Sequence, residues 1–367
     1  MASPEILDFD SLLQPISDES PSGVELKEDS AGSELYYQVK GTRDAASTAE
    51  RQQRDYAILS DEEKENEQSP SPPDWRSVLK LATEVLSQHS KDLWVAAWGI
   101  EALCRLHGFP GLRDGFRLTR ELSERFWDGI HPVPDEEGYL TTVAQLTGLN
   151  GDDSEGALIT PIDKIPITDE CSYGRLTSSQ YRDAAEGRGE IPLEAFDKAA
   201  LETSTEFFQG LVEDITQAQE EFAALTTVLE EKCGQGPDGY SAAPPSSQIS
   251  GALRDCLDRV KSIARDRLAP DGETEDGDES GEMVEVAGGV PGARKTMTRE
   301  DAFRLLLQVS EYFRKAEPHS PVSYSLEQAV RWGRMSLPDL LGELLQDGSV
   351  REDLFRRVGI PDPDRDD

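Results

Sequence analysis

Residues 74–112 of the chain read DWRSVLKLATEVLSQHSKDLWVAAWGIEALCRLHGFPGL, and the spacing of their apolar residues decides the fold class. Asp74 stands where a helix N-cap is favoured. The apolar stripe behind it has helical spacing and consists of Trp75, Val78, Leu79, Ala82, Val85 and Leu86. A second helix is predicted from about Asp92 to His107, with Gly108 at its end. The short connection between the two helices favours antiparallel packing in an all-α bundle.

This helical bundle is predicted to extend to residue 170. A third apolar stripe consists of Leu112, Phe116, Leu122 and Phe126. It stops at His131-Pro132-Val133-Pro134, because proline has no N–H and does not fit a helix interior. A short helix from about Tyr139 to Leu149 follows. Residues 74–170 are therefore predicted to form an N-terminal helical domain.

Residues 171–268 carry the pattern of a helical hairpin. Seven apolar residues alternate at spacings of three and four, namely Phe208, Leu211, Ile215, Ala218, Phe222, Leu225 and Leu229. This alternation is a heptad seam, and the Gly-, Pro- and Ser-rich loop 234–247 interrupts it. A second stripe consists of Ile249, Leu253, Cys256, Val260, Ile263 and Leu268. Two long helices with a loop between them are predicted to pack against each other.

Two other segments have the composition of solvated chain. Residues 1–73 hold the apolar segment LLQPIS at positions 12–17 and end in a polar run rich in Ser, Pro and Glu. This composition predicts a partly disordered N-terminal part of the first domain. Residues 269–297 are rich in Gly and acidic residues, which predicts an acidic flexible tether.

Residues 298–361 are predicted to be a small helical domain that drives homo-oligomerisation. Ser320 and Pro321 suit an N-cap and a first helical position. The residues 305–307 are three consecutive leucines, which cannot all face one core on a helix that turns by about 100° per residue. The candidate oligomerisation residues are Phe303, Leu306, Leu307, Tyr312, Phe313, Trp332, Leu341 and Leu345. A ring of copies would cover this apolar surface, and a monomeric bundle with one partly exposed leucine is the alternative.

The formal net charge of −36 restricts the classes of partner. Such a charge repels nucleic-acid phosphates and anionic membranes, so a basic protein surface is the better target. The first ten residues have neither the basic region nor the apolar core of a secretory signal, and no stretch is long and apolar enough to span a bilayer. The four cysteines are widely spaced, which is typical of reduced thiols in a cytoplasmic protein.

The sequence shows no motif that indicates catalysis, a cofactor or a metal. His89, His107, His131 and His319 form no H-x-x-x-H pair, and no phosphate-binding glycine loop or G-x-S-x-G turn occurs. The acidic residues from 271 to 282 resemble a calcium loop, but Asp276 occupies the position that requires glycine. No enzyme is therefore predicted. Trp94 and Trp98 suit either a helical core, which is favoured, or an aromatic recognition surface.

Three segments resemble the ImpA/TssA family of type VI secretion proteins. The first is LLQPISDESPSGVEL at residues 12–26. The second lies within residues 74–112 and includes Ser90-Lys91-Asp92-Leu93, Ala96-Ala97-Trp98 and Gly108-Phe109. The third is EPHSPVSYSLEQAVRWGRMSLPDLLGELL at residues 317–345. The three segments occur in the family's order, and the middle hairpin and the acidic tether carry no matching motif.

The resemblance implies a non-enzymatic scaffold that forms a homo-oligomer, expected to be a ring, and contacts baseplate, sheath and tube proteins during assembly of the contractile sheath. A cytoplasmic adaptor or chaperone that binds a client transiently in a helical groove is the alternative. The family-motif residues expected to have structural roles are Asp74, Trp75, Lys91, Asp92, Trp98, Glu317, His319 and Pro321. Of these, Lys91 and Asp92 are expected at a helix start, and Glu317, His319 and Pro321 at a corner between two helices.

Overall fold

The structure is a computed structural model that describes residues 2–268 apart from 137, 237 and 238, and in the C-terminal part residues 306, 307, 309, 310, 313, 314 and 321–335. Contacts divide the chain into two compact units, Met1–Asp271 and Gly272–Asp367. The described residues form helices and a few isolated bridges but no sheet, so the all-α prediction is confirmed.

Twelve α-helices are described in the first unit. They are α1 Phe9–Leu12, α2 Ser30–Ala57, α3 Asp61–Asn66, α4 Trp75–Gln88, α5 Leu93–Phe126, α6 Leu140–Asn150, α7 Ile159–Asp163, α8 Ser178–Ala185, α9 Leu193–Glu202, α10 Thr205–Cys233, α11 Ser247–Ile263 and α12 Arg265–Leu268. A short 3-10 helix, Trp127–Gly129, follows α5. In the second unit, α13 is Val322–Arg334, and the described residues 306, 307, 309, 310, 313 and 314 are also helical.

Helix α5 is the centre of the first unit, and most of its residues are buried. It spans the second and third predicted helices, which are separated only by a kink at Gly108 with φ 61° and ψ −135°. A positive φ is readily available only to glycine, so the expected helix end at Gly108 is a sharp change of direction rather than a loop. Pro110 follows in the next turn, where a break in the hydrogen-bond ladder tolerates it.

Helix α10 packs along α5, so the predicted hairpin is part of the same compact unit as residues 74–170. All seven residues of the predicted heptad seam are buried. The rings of Phe116 on α5 and Phe222 on α10 are 4.8 Å apart, and Arg120 Nε lies 3.0 Å from Glu221 Oε2. Helix α11 packs against α10 and completes the hairpin. Residues 74–170 and the hairpin region 171–268 therefore lie in one compact unit rather than in two separate domains.

The structure differs from the sequence-based expectation over residues 30–57, which form the 28-residue helix α2. Tyr36, Val39 and Ala46 are buried, but they make only a narrow apolar stripe. Ion pairs supply further contacts to α5: Arg43 Nη2 lies 2.8 Å from the buried Glu101. The low hydrophobicity of this segment predicted partial disorder. That prediction was wrong for residues 30–57, because ion pairs between distant segments leave no periodic signal in a sequence.

In the second unit, the described C-terminal helix α13 begins after Pro321, which is its N-cap rather than the predicted first helical residue. Ser310 Oγ donates a 2.9 Å hydrogen bond to the carbonyl oxygen of Ser323. Of the candidate oligomerisation residues, Leu306, Phe313 and Trp332 are half-buried and Leu307 is 38% exposed. Outside the described residues lie Phe303, Tyr312, Leu341, Leu345, Glu317, His319 and the predicted tether 269–297.

Candidate protein-interaction site

The turn between α4 and α5 is buried and polar. Ser90, Lys91 and Asp92 are each at most 1% exposed. Asp92 is the N-cap of α5, and its Oδ1 accepts hydrogen bonds from the N–H groups of Trp94 at 2.7 Å and Val95 at 3.1 Å. A carboxylate in this position satisfies N–H groups that have no partner inside the helix. Asp92 therefore stands at the helix start, where the sequence places it.

Lys91 has a second role that the sequence did not indicate. Its ammonium group donates hydrogen bonds of 2.7 Å to the carbonyl oxygens of Leu12 and Leu86. The ring centroid of Phe126 lies 5.2 Å from Lys91 Nζ. Burial disfavours the charged form and lowers the pKa of Lys91 to about 8. The side chain thus ties the N-terminal segment to the ends of α4 and α5.

The N-terminal segment runs beside this turn and exchanges main-chain hydrogen bonds with it. Lys91 N donates to Ser22 O at 2.7 Å, and Val24 N donates to His89 O at 3.2 Å. Gly23 lies between them with φ +79°, and an added Cβ would stand 2.0 Å from His89 O. Only glycine permits this approach of two backbones.

A third segment, after α5, joins the same turn through His131. Its N–H donates to Lys91 O at 3.0 Å, and its Nδ1 lies 3.2 Å from Glu25 Oε2. Burial disfavours the Glu25 carboxylate, but hydrogen bonds from His131 and from the N–H of Val133 outweigh it, so the pKa of Glu25 lies below its usual value. Burial raises the pKa of Asp92 to about 6. We call Glu25, Ser90, Lys91, Asp92 and His131 the polar junction.

An aromatic cluster covers the outer side of the polar junction. Lys27 Nζ lies 3.7 Å from the ring centroid of Trp94, which is half-buried, and the Trp94 indole N–H donates to Thr141 O at 2.9 Å. The ring of Tyr36 lies 6.4 Å from that of Trp94 and 5.3 Å from that of Tyr37. Burial raises the pKa of Tyr36 to about 12. Tyr37 itself is 62% exposed.

Trp98 belongs to the core behind this cluster. It is 3% exposed, its ring lies 5.6 Å from that of Tyr36, and its indole N–H donates to Gln145 Oε1 at 3.2 Å. The two tryptophans of α5 therefore differ: Trp98 is a core residue, whereas Trp94 lies at the boundary with solvent.

Exposed apolar residues border the cluster. Val24 is 42%, Val133 48% and Leu140 41% exposed. Val24 and Leu140 adjoin Glu25 and Thr141 in the chain, and Val133 N donates to Glu25 Oε2 at 3.0 Å. We call Val24, Lys27, Tyr37, Trp94, Val133 and Leu140 the aromatic surface. Tyrosine and tryptophan on a rigid support are typical of protein-binding sites. No pattern in the sequence pointed to Lys27 or Tyr37, because these residues come together only when three distant segments meet.

The predicted residues at the start of α4 lie away from the junction. Asp74 is the N-cap of α4, and it accepts from Ser77 N at 3.0 Å and from Ser77 Oγ at 2.6 Å. Trp75 is buried, with the guanidinium carbon of Arg105 4.1 Å from its ring centroid. These contacts fix the first turn of the helix and suit a structural role.

The histidines, cysteine thiols and acidic side chains of the described residues are the groups that could bind a metal ion or act as a nucleophile. Within residues 2–268 and the described C-terminal positions, no three His, Cys, Asp or Glu side chains are grouped to hold a metal ion. His89 caps the end of α4, and His107 is exposed on α5 just before its kink. All four cysteines are unpaired, and burial raises the pKa of Cys104 and Cys233 to about 12. Among the helices that are described, none has the length and apolar character needed to cross a membrane.

Comparisons with known proteins agree with this architecture. Residues 13–151 match the model of the ImpA_N family, described as ImpA, N-terminal, type VI secretion system. The chain is 28% identical over 358 residues to the type VI secretion system component TssA1 of Pseudomonas aeruginosa, and the match covers 96% of this chain and 98% of that protein. The solved N-terminal domain of the TssA component from Burkholderia cenocepacia, including the ImpA_N region, is 24% identical with a TM-score of 0.55. That match covers 71% of this chain and 95% of the solved chain.

Proposed function

We propose that this chain, which matches the ImpA_N family over residues 13–151 and the type VI secretion system component TssA1 over 96% of its length, is a non-enzymatic scaffold of such a system. It acts in the cytoplasm, forms a homo-oligomer, and contacts baseplate, sheath and tube proteins to promote assembly of the contractile sheath. It needs no cofactor for this role, and its partners are proteins rather than nucleic acid or lipid.

The observation that carries the proposal is the extent of the likeness to TssA1. The match runs through 96% of this chain and 98% of the relative, so it includes the helical first unit and the C-terminal part in the same order. A likeness confined to one domain would support a shared fold alone. A likeness over nearly the whole length supports a shared role in assembly.

The aromatic surface is the proposed contact site of the first unit. Trp94 is held by its hydrogen bond to Thr141, and the polar junction fixes the helix end from which it projects. Binding to such a surface costs little side-chain entropy, because the aromatic rings are already ordered. Lys27 adds a positive charge to the surface of a chain whose net charge is −36, and suits a carboxylate on the partner.

The C-terminal unit is the proposed site of self-association, with its large apolar residues covered by neighbouring copies. A segment of about sixty residues rarely buries enough apolar surface to be stable alone. The alternative function, a transient adaptor or chaperone, would leave this unit monomeric or dimeric. Oligomer size therefore distinguishes the two functions.

The test of the proposed function uses the full-length chain in its own bacterium. An affinity-tagged copy should recover type VI baseplate, sheath or tube proteins, and deletion of the gene should abolish assembly of fluorescently labelled sheaths. Re-expression of the wild-type chain should restore sheath assembly. Normal sheath assembly in the deletion strain would contradict the scaffold function.

A further inference from the structure

Residues 3–7, which we call the arm, lie in a polar seat formed by α5 and α10. Asp214 on α10 receives two hydrogen bonds from Ser3, from its N–H at 2.8 Å and from its hydroxyl at 2.6 Å. Asp214 is 5% exposed. A buried carboxylate thus binds one residue of the arm at two points.

A second buried carboxylate binds the other end of the arm. Asp114 on α5 is fully buried, and its Oδ2 accepts from the N–H of Ile6 at 2.6 Å and from that of Leu7 at 3.3 Å. Leu7 is 8% exposed. This end of the arm is therefore recognised by its main chain and by one aliphatic side chain.

Arg113 lies between the two carboxylates and recognises the carbonyl groups of the arm. Its Nη1 donates to Ser3 O at 2.8 Å, its Nη2 to Pro4 O at 3.1 Å, and its Nε to Asp114 Oδ1 at 2.7 Å. Arg117 Nη1 lies 2.5 Å from Glu5 Oε1. The seat, which we define as Arg113, Asp114 and Asp214, thus pairs charged groups with the polar main chain of an extended segment.

Leu7 is the one buried residue among the five residues of the arm. Pro4 and Glu5 are exposed, and Ser3 and Ile6 are half-buried. Few apolar contacts are therefore lost when the arm opens, and the main cost of opening is the loss of its hydrogen bonds to the seat. While the arm is in place, Arg113, Asp114 and Asp214 are buried. When the arm leaves, these three charged side chains lose their hydrogen-bond partners in the arm. A second segment of the same chemistry would therefore be favoured to fill the seat.

We propose that the seat is a peptide-binding site for an extended Ser-Pro-acidic-aliphatic-aliphatic segment, and that it exchanges its own arm for the arm of a second copy of this chain. The arm of another copy is the occupant because residues 3–7 are the one sequence whose fit to the seat is described. Exchange of identical elements between copies preserves every contact and so costs little. The proposal stands apart from the function proposed above.

The first test measures binding of a fluorescein-labelled peptide of residues 2–13 to the full-length chain. Ile6→Pro removes the N–H group that donates a hydrogen bond to Asp114. It therefore weakens binding of the chain's own arm to the seat and leaves the side chains of the seat unchanged. We expect the Ile6→Pro chain to bind the wild-type peptide at least tenfold more tightly than the wild-type chain does. Adding Asp214→Ala to that chain should abolish the gain.

A second variant guards against misfolding of the Ile6→Pro chain. The double variant Ser3→Ala, Glu5→Ala removes the Ser3 hydroxyl that donates to Asp214 and the Glu5 carboxylate that pairs with Arg117. Neither Ser3 nor Glu5 is buried. The double variant should show the same gain in peptide affinity with an unchanged melting temperature. Absence of the gain in a folded variant, or a gain that survives Asp214→Ala, would overturn the seat as a peptide site.

The last test asks for exchange between copies. A tagged Ile6→Pro chain has an intact seat, and an untagged Asp214→Ala chain has an intact arm. The tagged chain should capture several times more of the Asp214→Ala chain than of an untagged Ile6→Pro chain. Association through any other surface gives equal capture of the two, so equal capture would overturn the second copy as the occupant, whatever the outcome for the scaffold function.

Discussion

The ammonium group of Lys91 donates a 2.7 Å hydrogen bond to the carbonyl oxygen of Leu12, a residue 79 positions earlier in the chain. A second bond of 2.7 Å runs to the carbonyl oxygen of Leu86. Lys91 is fully buried, and burial is the cause of its lowered pKa. Neutral carbonyl groups thus provide the polar environment of a buried amine.

We expect Lys91→Met to lower the free energy of unfolding at pH 7 by about 1–3 kcal/mol, because two buried carbonyl groups lose a donor. Urea denaturation of the variant and the wild-type chain measures the difference. Lys80→Met on the exposed face of α4 is the control and should change the stability by less than about 0.5 kcal/mol. Equal stability of the two variants would contradict a structural role for Lys91.

The same pair of proteins tests the pKa of Lys91. Burial lowers this pKa from 10.5 to about 8, so between pH 8 and 10.5 the unfolded chain binds more protons at this position than the folded chain. Stability of the wild-type chain should therefore rise relative to Lys91→Met as the pH increases from 8 to 10. The neutral amine still has two hydrogens for the two carbonyl groups. A difference that stays constant or shrinks would show that the amine is not neutralised in the fold.

Alanine substitutions at Gly23 and Gly187 distinguish the cost of a steric clash from the cost of backbone strain. Both have a positive φ, +79° and +68°, but an added Cβ at Gly23 meets His89 O at 2.0 Å, whereas at Gly187 it meets nothing within 4 Å. Gly187→Ala should cost about 1–2 kcal/mol from the left-handed conformation alone. Gly23→Ala should cost roughly 3 kcal/mol or more, because it also forces two backbones apart. Thermal unfolding followed by circular dichroism compares them, and similar losses would argue against the close approach.

Tyr37 tests the aromatic surface. Tyr37→Ser should weaken binding of the baseplate, sheath or tube protein that the tagged chain recovers by about tenfold, since exposed aromatic residues often dominate an interface. The melting temperature should be unchanged, because Tyr37 is 62% exposed. Tyr173→Ser, at a residue that is 42% exposed, is the matched control and should bind as the wild-type chain does. Equal affinity of the Tyr37 and Tyr173 variants would exclude this surface as the contact site.

Light scattering tests the proposed role of the C-terminal unit. The full-length chain should form a large oligomer, and a chain ending at residue 268 should be much smaller in assembly state, because it retains the first compact unit without the apolar residues proposed to associate. Residues 298–367 alone should form the oligomer. A monomeric C-terminal fragment at micromolar concentration would contradict this role.

Local patterns predicted the helices of the first unit well where the apolar stripe is wide. The stripe from Trp75 to Leu86 and the heptad seam of α10 both appear as buried faces. Helix α2 was missed, because three buried apolar residues in 28 leave the segment polar on average. Its packing depends in part on the pair of Arg43 with Glu101, two residues 58 positions apart.

Sequence alone determined the all-α fold, the N-cap at Asp74 and the helix start at Asp92, because each depends on residues within a few turns of one another. It also showed, in three separate segments, the resemblance to a type VI secretion family. Tertiary structure alone decided that Lys91 binds the carbonyl of Leu12, that α10 packs along α5, and that Trp94 lies at the boundary with solvent while Trp98 lies in the core. Hydrogen bonds and charge pairs between distant segments follow no period, so they become visible only when the chain brings those segments together.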